Sequence, residues 1–353
     1  MKKLTPVVSI ATFCTVVLAG LALAASGTVE GRWIAERTDD RVWLQFKRLS
    51  SGSGSSSFST TLRIAELDRF APGHGTRFVL SREAGDVRFT GDLDPNGLGS
   101  GTYRFAPNPS FLQRMQDLGY RDLPIAQAFE LALFDVTTGF VREMASLGYD
   151  DIPLERLIEL TIHGVSPEFV TQLLDLGYGD LSLDGLVEMR IHAVTPVYIE
   201  ALTDLGYSDL PANQLVEMRI HGVDPESVRE LNELAGEPLP ARRLIEMRIH
   251  GVTSAFVRQL AALGYQDLPA QRLVEMRIHG VTPEFIRRMS DLGYRDLPVS
   301  RWVEMRIHGV GPEMVRELAE RGYTDVPASK LIEMRIHGID GRFLDRIDRR
   351  NNG

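Results

Sequence analysis

The sequence predicts an α+β multidomain protein, in which a small antiparallel β domain is followed by an α-solenoid of eight 29-residue helical hairpins with a terminal capping helix. Up to residue 107 the apolar residues alternate as in half-buried strands, and afterwards they recur with the helical period of about 3.6 residues. A histidine then returns every 29 residues, and a fixed period of this length is typical of stacked repeats. The seven histidines are His163, His192, His221, His250, His279, His308 and His337.

Residues 1–25 are predicted to form a secretory signal peptide. Two lysines near the start precede an apolar run at about residues 7–23, and small residues suited to cleavage end the segment. The chain is therefore expected in the periplasm or outside the cell, with membrane contact only if the segment stays uncleaved as an anchor. The single cysteine, Cys14, lies in this run, so the mature chain is expected to contain no cysteine nucleophile or thiolate metal ligand.

The composition is that of a folded protein with an acidic surface. The chain has 353 residues, of which 43% are hydrophobic and 25% are charged, and its formal net charge is −9. Because an acidic surface repels phosphate backbones, nucleic acid is not expected as a partner.

Residues 26–107 are predicted to form the β domain. Alternating runs are separated by glycine-rich turns, and a serine- and glycine-rich stretch at 50–57 is predicted to be a mobile hairpin loop. Gly31, Arg32 and Trp33 are similar to the first strand of small ligand-binding barrels of the lipocalin kind. A small-ligand-binding or hydrolytic β domain is one alternative function. The alternating runs are residues 42–46, 77–80, 87–90 and 102–105.

A possible calcium loop overlaps one of these turns. Asp92, Asp94 and Asn96 match its first half, in which alternate oxygen ligands and a glycine surround one ion. The position of the required bidentate glutamate holds Tyr103. We favour a plain hairpin turn, which the same residue types predict, and calcium is the less favoured interpretation.

Residues 108–350 are predicted to form the solenoid, with two short helices in each repeat. The clearest copy places them at 283–292 and 299–308, where Thr282 can cap the first helix and Pro283 suits its first position. Gly293 is predicted to end that helix in a left-handed conformation. Helices of about ten residues are marginal alone, so we expect neighbouring hairpins to stabilise one another.

Three copies depart from the pattern. In the first pair, Ala132, Phe134 and Asp135 stand at the positions of arginine, histidine and glycine, as expected of a capping repeat that packs on the β domain. The fifth pair lacks its Gly-Tyr, so we expect a changed stacking angle at residues 234–238. Ala193 replaces a helix-ending glycine, at a cost of about 1 kcal/mol if the left-handed conformation is kept.

Six of the repeats carry an arginine inside the apolar arc of the second helix. In the copy with Arg277, this arc is expected to include Val274 and Ile278. We expect the arginine to bury its stem and to donate to a loop carbonyl or to a turn aspartate such as Asp267 or Asp296. The predicted structural ladder consists of the seven histidines with Arg190, Arg219, Arg248, Arg277, Arg306 and Arg335.

A glutamate and a histidine also recur one helical turn apart, as in Glu275 and His279. A repeated metal or acid–base pair is one interpretation. We favour a structural role, in which the histidine satisfies the helix C-terminus and the glutamate holds it. Adjacent layers are expected about 9 to 10 Å apart, whereas two ligands of one zinc ion each lie within about 2.1 Å of it, so no metal or cofactor is predicted.

The sequence contains no zinc-protease, serine-nucleophile or phosphate-loop motif, so no catalytic residue is predicted. The outer face of the first helix, in contrast, differs from copy to copy. Such variation is expected of a surface that binds a partner, and sequence drift is the alternative explanation. The candidate partner face consists of Thr171, Asp175, Glu200, Asp204, Arg287 and Asp291.

Three strings recur in phase over most of the mature chain: Gly-Val-Thr-Pro-Glu-Phe, Leu-Gly-Tyr-x-Asp-Leu and Arg-Ile-His-Gly-Val. They resemble a helical repeat of uncharacterised exported bacterial proteins, and the C-terminal repeat region of some membrane metallopeptidases of the BlaR-type antirepressor family. The segments beginning at Arg82 and at Gly101 are similar to the domain that often precedes those repeats. Because the chain lacks the family's zinc motif and its several membrane spans, the resemblance implies an accessory or sensor-like module without protease activity.

The sequence thus predicts an exported, non-enzymatic scaffold or protein-interaction protein that acts through its α-solenoid. The expected partner is a protein or a cell-envelope component. The alternatives are a regulatory sensor arm partnered with a membrane metallopeptidase, and a ligand-binding or hydrolytic site in the β domain.

Overall fold

The computed structural model of the chain describes residues 27–48, 57–339 and 341–351. The predicted signal segment and nearly all of the predicted serine- and glycine-rich loop lie outside these residues. The described chain is an antiparallel sheet followed by a series of helices, which confirms the predicted fold class. It divides into two compact units, an N-terminal unit that ends at Leu174 and a C-terminal unit that begins at Asp175.

The strands of the described chain form one antiparallel sheet in the N-terminal unit. They are β1 (Val29–Thr38), β2 (Arg41–Arg48), β3 (Ser57–Arg63), β4 (Leu67–Asp68), β5 (Gly73–Arg82), β6 (Gly85–Leu93) and β7 (Leu98–Pro107). Their order across the sheet is β3-β2-β1-β7-β6-β5-β4. The four predicted alternating runs lie inside β2, β5, β6 and β7, respectively.

Aromatic side chains fill the buried face of this sheet. Trp33, Phe46, Phe78, Phe89 and Phe105 are each no more than 1% exposed. The rings of Phe78 and Phe89 are stacked with centroids 4.5 Å apart, and Trp33 meets Phe78 edge-on at 5.3 Å. Such pairs add to the free energy already gained by burying the rings, so the dry face is held by dense packing.

The helices follow in pairs, and the first helix of each pair has an odd number. They are α1 (Pro109–Asp117), α2 (Ile125–Leu133), α3 (Thr138–Ser146), α4 (Leu154–Ile162), α5 (Pro167–Asp175), α6 (Leu183–Ile191), α7 (Pro196–Thr203), α8 (Ala212–Ile220), α9 (Pro225–Ala235), α10 (Ala241–Ile249), α11 (Ser254–Ala261), α12 (Ala270–Ile278), α13 (Pro283–Asp291), α14 (Val299–Ile307), α15 (Pro312–Glu320), α16 (Ala328–Ile336) and the final helix α17 (Gly341–Asn351).

Local signals set the ends of these helices as predicted. At the start of α13, the hydroxyl of Thr282 accepts a hydrogen bond from the Phe285 N–H at 3.0 Å, and Pro283 takes the first helical position. After the helix, Gly293 has a φ of +97°, and the N–H of Tyr294 donates to the Met289 carbonyl at 3.0 Å. The left-handed glycine thus turns the chain, and the carbonyl of Met289 near the end of the helix still accepts a hydrogen bond.

A tyrosine in the turn after the first helix ties each of several hairpins to the next. In the C-terminal unit, the Tyr294 hydroxyl donates to the Val326 carbonyl at 2.6 Å, and Tyr265 donates to the Leu297 carbonyl at 2.7 Å. Each bond joins residues 32 positions apart. Tyr120 makes the equivalent bond to the Ile152 carbonyl within the N-terminal unit.

The fifth pair adapts to its missing tyrosine by lengthening the first helix. α9 has 11 residues and ends at Ala235, and Gly236, whose φ is +73°, follows it. The side-chain oxygen of Asn232 accepts from the Leu239 N–H at 3.0 Å, and its amide donates to the Tyr207 hydroxyl at 3.0 Å. An asparagine therefore links this loop to the tyrosine of the preceding hairpin.

The first hairpin packs on the sheet, as its atypical sequence predicts. α2 contacts β1, β6 and β7, and the ring of Phe129 stacks on Tyr103 with centroids 5.1 Å apart. Leu133 at the end of α2 is 2% exposed. Asp135 has a φ of +55°, so an aspartate adopts the left-handed conformation that glycine has in later copies.

Glu83 in the turn between β5 and β6 clamps two helices of the same unit. Its carboxylate accepts from the Thr138 N–H at 2.9 Å, from the Thr138 hydroxyl at 2.6 Å and from Arg114 at 2.9 Å. Thr138 begins α3 and is 3% exposed, so the carboxylate satisfies an otherwise free N–H at a helix N-terminus. The Glu83 carbonyl also accepts from the Asn108 side chain at 3.1 Å, next to α1.

Replacing Tyr103 with phenylalanine is expected to stabilise the N-terminal unit by about 1 kcal/mol, because its buried hydroxyl has no hydrogen-bond partner among the described residues. Burial, opposed by nearby Arg48, raises the pKa of Tyr103 to about 12. Since unfolded tyrosine titrates near pH 10, the native unit should lose stability as the pH rises from about 10 to 12, and the variant should lack this loss. Urea unfolding near pH 7 and near pH 11 measures both effects, and a variant less stable than the native protein near pH 7 contradicts the prediction.

Candidate functional site

Within the C-terminal unit, ladder arginines such as Arg219 and Arg277 bridge consecutive hairpins. The guanidinium of Arg277 lies over the ring of Phe256 in the first helix of its own hairpin, 5.1 Å from the centroid. Its Nε donates to the carbonyl of His250, in the preceding hairpin, at 3.2 Å. Arg219 repeats the arrangement over Tyr198 at 4.8 Å. The motif arginine and the motif histidine are therefore joined through a main-chain oxygen.

The turn aspartates, which were the other predicted acceptors, have a backbone role. Asp267 and Asp296 both have a φ of +53°, in the left-handed region that aspartate tolerates better than most residues. They occupy the bend between the two helices of a hairpin. The recurring Tyr-x-Asp-Leu string is thus explained by chain geometry at the turn.

The motif glycine leaves room for the arginine of the next hairpin. A Cβ at Gly251 would lie 2.7 Å from the nearest guanidinium nitrogen of Arg277, and a Cβ at Gly280 would lie 2.9 Å from Arg306. Both glycines also have a φ near +70°. Arginine, histidine and glycine recur together because they form one contact between neighbouring copies.

Replacing Ala193 with glycine is expected to raise the unfolding free energy of the C-terminal unit by about 1 kcal/mol. Ala193 keeps a left-handed φ of +55°, and the Arg219 Nε lies 3.4 Å from the His192 carbonyl, farther than the equivalent 3.2 Å at Arg277. Urea unfolding of the two proteins measures the difference. Ala201→Gly inside α7 is the matched control and should destabilise, so a loss of stability in both variants contradicts the prediction.

The recurring glutamates pair mainly with basic side chains one turn earlier. Glu275 accepts from Arg272 at 2.6 Å, and Glu304 accepts from Arg301 at 2.6 Å. His279 follows the last residue of α12. Its main-chain N–H donates to the main-chain carbonyl of Glu275 at 3.1 Å. The described part of the chain contains no group of three or more histidine, cysteine, aspartate or glutamate side chains arranged to hold a metal.

The residues of the calcium interpretation make hydrogen bonds within and beside a turn. One carboxylate oxygen of Asp94 accepts from the N–H groups of Asn96 and Leu98 at 2.8 and 2.9 Å. Asp92 accepts from the Gly75 N–H at 2.9 Å on the neighbouring strand. These bonds give both carboxylates a role in shaping the loop.

The candidate partner face is exposed to solvent. Thr171, Asp175, Glu200, Asp204, Arg287 and Asp291 are all exposed. Arg287 makes a surface ion pair with Glu284 at 3.2 Å, and such pairs contribute little to stability. The Thr171 hydroxyl donates to the Pro167 carbonyl at 2.9 Å, and the other polar ends are exposed to a partner.

The prediction that Ile278 belongs to the buried arc was wrong. Val274 and Met276 are 3% and 0% exposed, whereas Ile278 is 55% exposed. Ile278 ends α12 and projects past the edge of the arc, where the neighbouring helices do not cover it. The same position is exposed throughout the C-terminal unit, in Ile191, Ile220, Ile249, Ile278, Ile307 and Ile336.

In the described residues, none of the helices is both long and apolar enough to span a membrane. Comparison with known proteins finds no matching family model and no matching curated protein. The resemblance of the repeats to the BlaR-type family therefore stays a prediction.

Proposed function

We propose that the protein is a non-enzymatic scaffold that binds another protein or a cell-envelope component through the exposed face of its first helices. The observation that carries this proposal is the contrast between this face and the buried positions. Glu200 is exposed in α7, and the equivalent position holds exposed arginines in the next four hairpins, including Arg258 and Arg287. A face whose charge changes along the chain can distinguish partners by electrostatic complementarity.

The repeated ionisable residues support a binding role over catalysis. The arginines bond main-chain oxygens and stack on rings, and the glutamates pair with basic neighbours, so these groups already stabilise the hairpins. The β domain likewise offers little support for a ligand-binding or hydrolytic role, because aromatic rings fill its buried face. The exposed first-helix face takes no part in these repeated arginine–carbonyl and glutamate contacts.

Cross-linking capture of the full protein from its native cell envelope tests the proposal. We expect one reproducible set of partners, and reversing two charges with Arg258→Glu and Arg287→Glu should reduce its recovery at least tenfold. Arg272→Glu is the matched control, since Arg272 is 51% exposed but lies on a second helix. Equal recovery with the reversed face, or no partner at all, contradicts the proposal. Capture of a membrane metallopeptidase would favour the regulatory alternative.

A further inference from the structure

Six isoleucines of the C-terminal unit, one on each second helix, form an exposed apolar row that we call the isoleucine stripe. Each is between 52% and 58% exposed. Each of these second helices contacts the second helix of the next hairpin, so the row runs from one hairpin to the next. The stripe consists of Ile191, Ile220, Ile249, Ile278, Ile307 and Ile336.

Recent duplication alone does not explain the stripe. Two turns before each isoleucine, on the same side of the same helix, lies a second exposed position. Among these six helices that position changes in nearly every copy, whereas the isoleucine is the same in all of them. The changed residues are Asp184, Asn213, Arg242, Gln271, Ser300 and Ser329. The isoleucine is kept where a comparably exposed site on the same helix is not, and we infer that it has a role of its own.

The exposed area suits a protein–protein interface. An isoleucine that is half exposed presents about 100 Å², so the six present about 600 Å² per molecule, against about 800 Å² per partner in a standard interface. Burying these side chains against a partner is favourable, because apolar area removed from water stabilises a complex. The polar side chains next to the isoleucines would form the rim of the interface and supply the rest of its area.

Four of the six glutamates beside the stripe are already paired with a basic side chain of the same helix. The glutamate one turn before Ile249 pairs with Arg243, and the one before Ile278 pairs with Arg272. Arg301 and Lys330 do the same in the next two hairpins. Around Ile249, Ile278, Ile307 and Ile336 the stripe therefore repels an identical surface less than a row of unpaired carboxylates would.

In the first hairpin, the residue equivalent to the stripe isoleucines is buried and its helix packs on the sheet. Leu133 in the N-terminal unit is 2% exposed, and its helix α2 packs on the sheet. Glu130, the counterpart of the glutamates beside the stripe, lies 3.7 Å from Arg48 of that sheet. The second-helix face is thus a contact face in the first hairpin.

We propose that the isoleucine stripe binds the same stripe of a second copy of the chain in an antiparallel homodimer. A row with one side chain per hairpin is matched along its whole length only by a surface of the same spacing, which a second copy supplies. Two-fold symmetry then places its axis between Ile249 and Ile278, so that Ile249 of one molecule faces Ile278 of the other. This dimer goes beyond the proposed function, because it uses the second helices.

Sedimentation of the full chain tests the dimer. We expect the native protein to be dimeric at tens of micromolar, and Ile249→Glu with Ile278→Glu to raise the dissociation constant at least 100-fold. Val197→Glu is the matched control, since Val197 is 72% exposed on α7 of the same unit, and it should leave the dimer intact. A monomeric native protein, or unchanged association of the double variant with native circular dichroism, overturns the proposal.

Disulfide trapping tests the antiparallel register. In a Cys14→Ser background, a chain with Ile249→Cys should cross-link to a chain with Ile278→Cys faster than to itself, because a disulfide needs the two Cα atoms within about 7 Å. Faster cross-linking of identical chains contradicts the proposed register. The Arg258→Glu and Arg287→Glu variant should remain dimeric, so loss of partner capture and loss of the dimer are separate outcomes.

Discussion

Replacing Glu83 with alanine is expected to lower the unfolding free energy of the N-terminal unit by about 3 kcal/mol. The change removes three hydrogen bonds to a charged acceptor and leaves the Thr138 N–H buried without a partner. Each lost hydrogen bond of this kind costs about 1 to 3 kcal/mol, and the costs are not additive. Urea unfolding followed by the fluorescence of Trp33 and Trp43 measures the change. The third tryptophan, Trp302, can be replaced by leucine, which the other full copies carry at this position.

The matched control is Glu30→Ala, which removes an exposed pair between Glu30 and Arg104 in the same unit. Exposed pairs contribute about 0 to 1 kcal/mol, so the control should be nearly neutral. Equal losses of unfolding free energy in Glu83→Ala and Glu30→Ala would falsify the role of Glu83 as a clamp.

Acid should weaken the same clamp. Burial raises the pKa of Glu83, but the hydrogen bonds from Thr138 and Arg114 outweigh it and hold the pKa below its ordinary value of 4.5. A carboxyl with a lowered folded pKa stabilises the fold fully above its unfolded pKa, and this stabilisation is lost as the pH falls through the folded value. The difference between the native protein and Glu83→Ala should therefore shrink below about pH 4.

Replacing Arg277 with methionine is expected to lower the unfolding free energy of the C-terminal unit by about 2 kcal/mol. The variant keeps an apolar stem but loses the contact with Phe256 and the hydrogen bond to the His250 carbonyl. Arg277→Lys should recover less than half of the loss, because an ammonium group lacks the planar surface that stacks on a ring. Chemical denaturation of the three proteins gives these differences directly.

Arg272→Met is the control for Arg277→Met. Arg272 lies on the same helix, is 51% exposed and pairs only at the surface with Glu275, so its loss should change stability by less than about 0.5 kcal/mol. A stabilising Arg277→Met substitution would mean that burying the guanidinium costs more than its contacts return.

Features set by neighbouring residues could be predicted from the sequence. Thr282 and Pro283 start a helix and Gly293 ends one because capping depends on residues within a few positions. The alternating runs in β2, β5, β6 and β7 were also predicted, because alternation is a pattern of adjacent residues. β1 was only partly recognised, because charged residues and Gly31 interrupt its apolar pattern.

Features set by distant residues could not be predicted. The clamp at Glu83 depends on Thr138, which is 55 residues away, and no local pattern signals that contact. The Tyr294 hydroxyl reaches a carbonyl 32 residues on, and its acceptor is a backbone atom that every residue has. Ile278 was assigned to the core although it is 55% exposed. Helical periodicity gives the direction in which a side chain points from the helix axis, but it does not say whether a neighbouring helix covers that side chain.

The bonds between hairpins also bear on how such a gene can change. A tyrosine donates to an oxygen 32 residues later, and an arginine donates to one 27 residues earlier, so each of these bonds spans about one copy. Gain or loss of a whole copy by unequal crossing-over leaves every surviving donor with an acceptor of the same kind, whereas an insertion of a few residues changes the spacing of the bonds that span it. Copy number is therefore free to evolve, and each added copy brings one more isoleucine to the stripe.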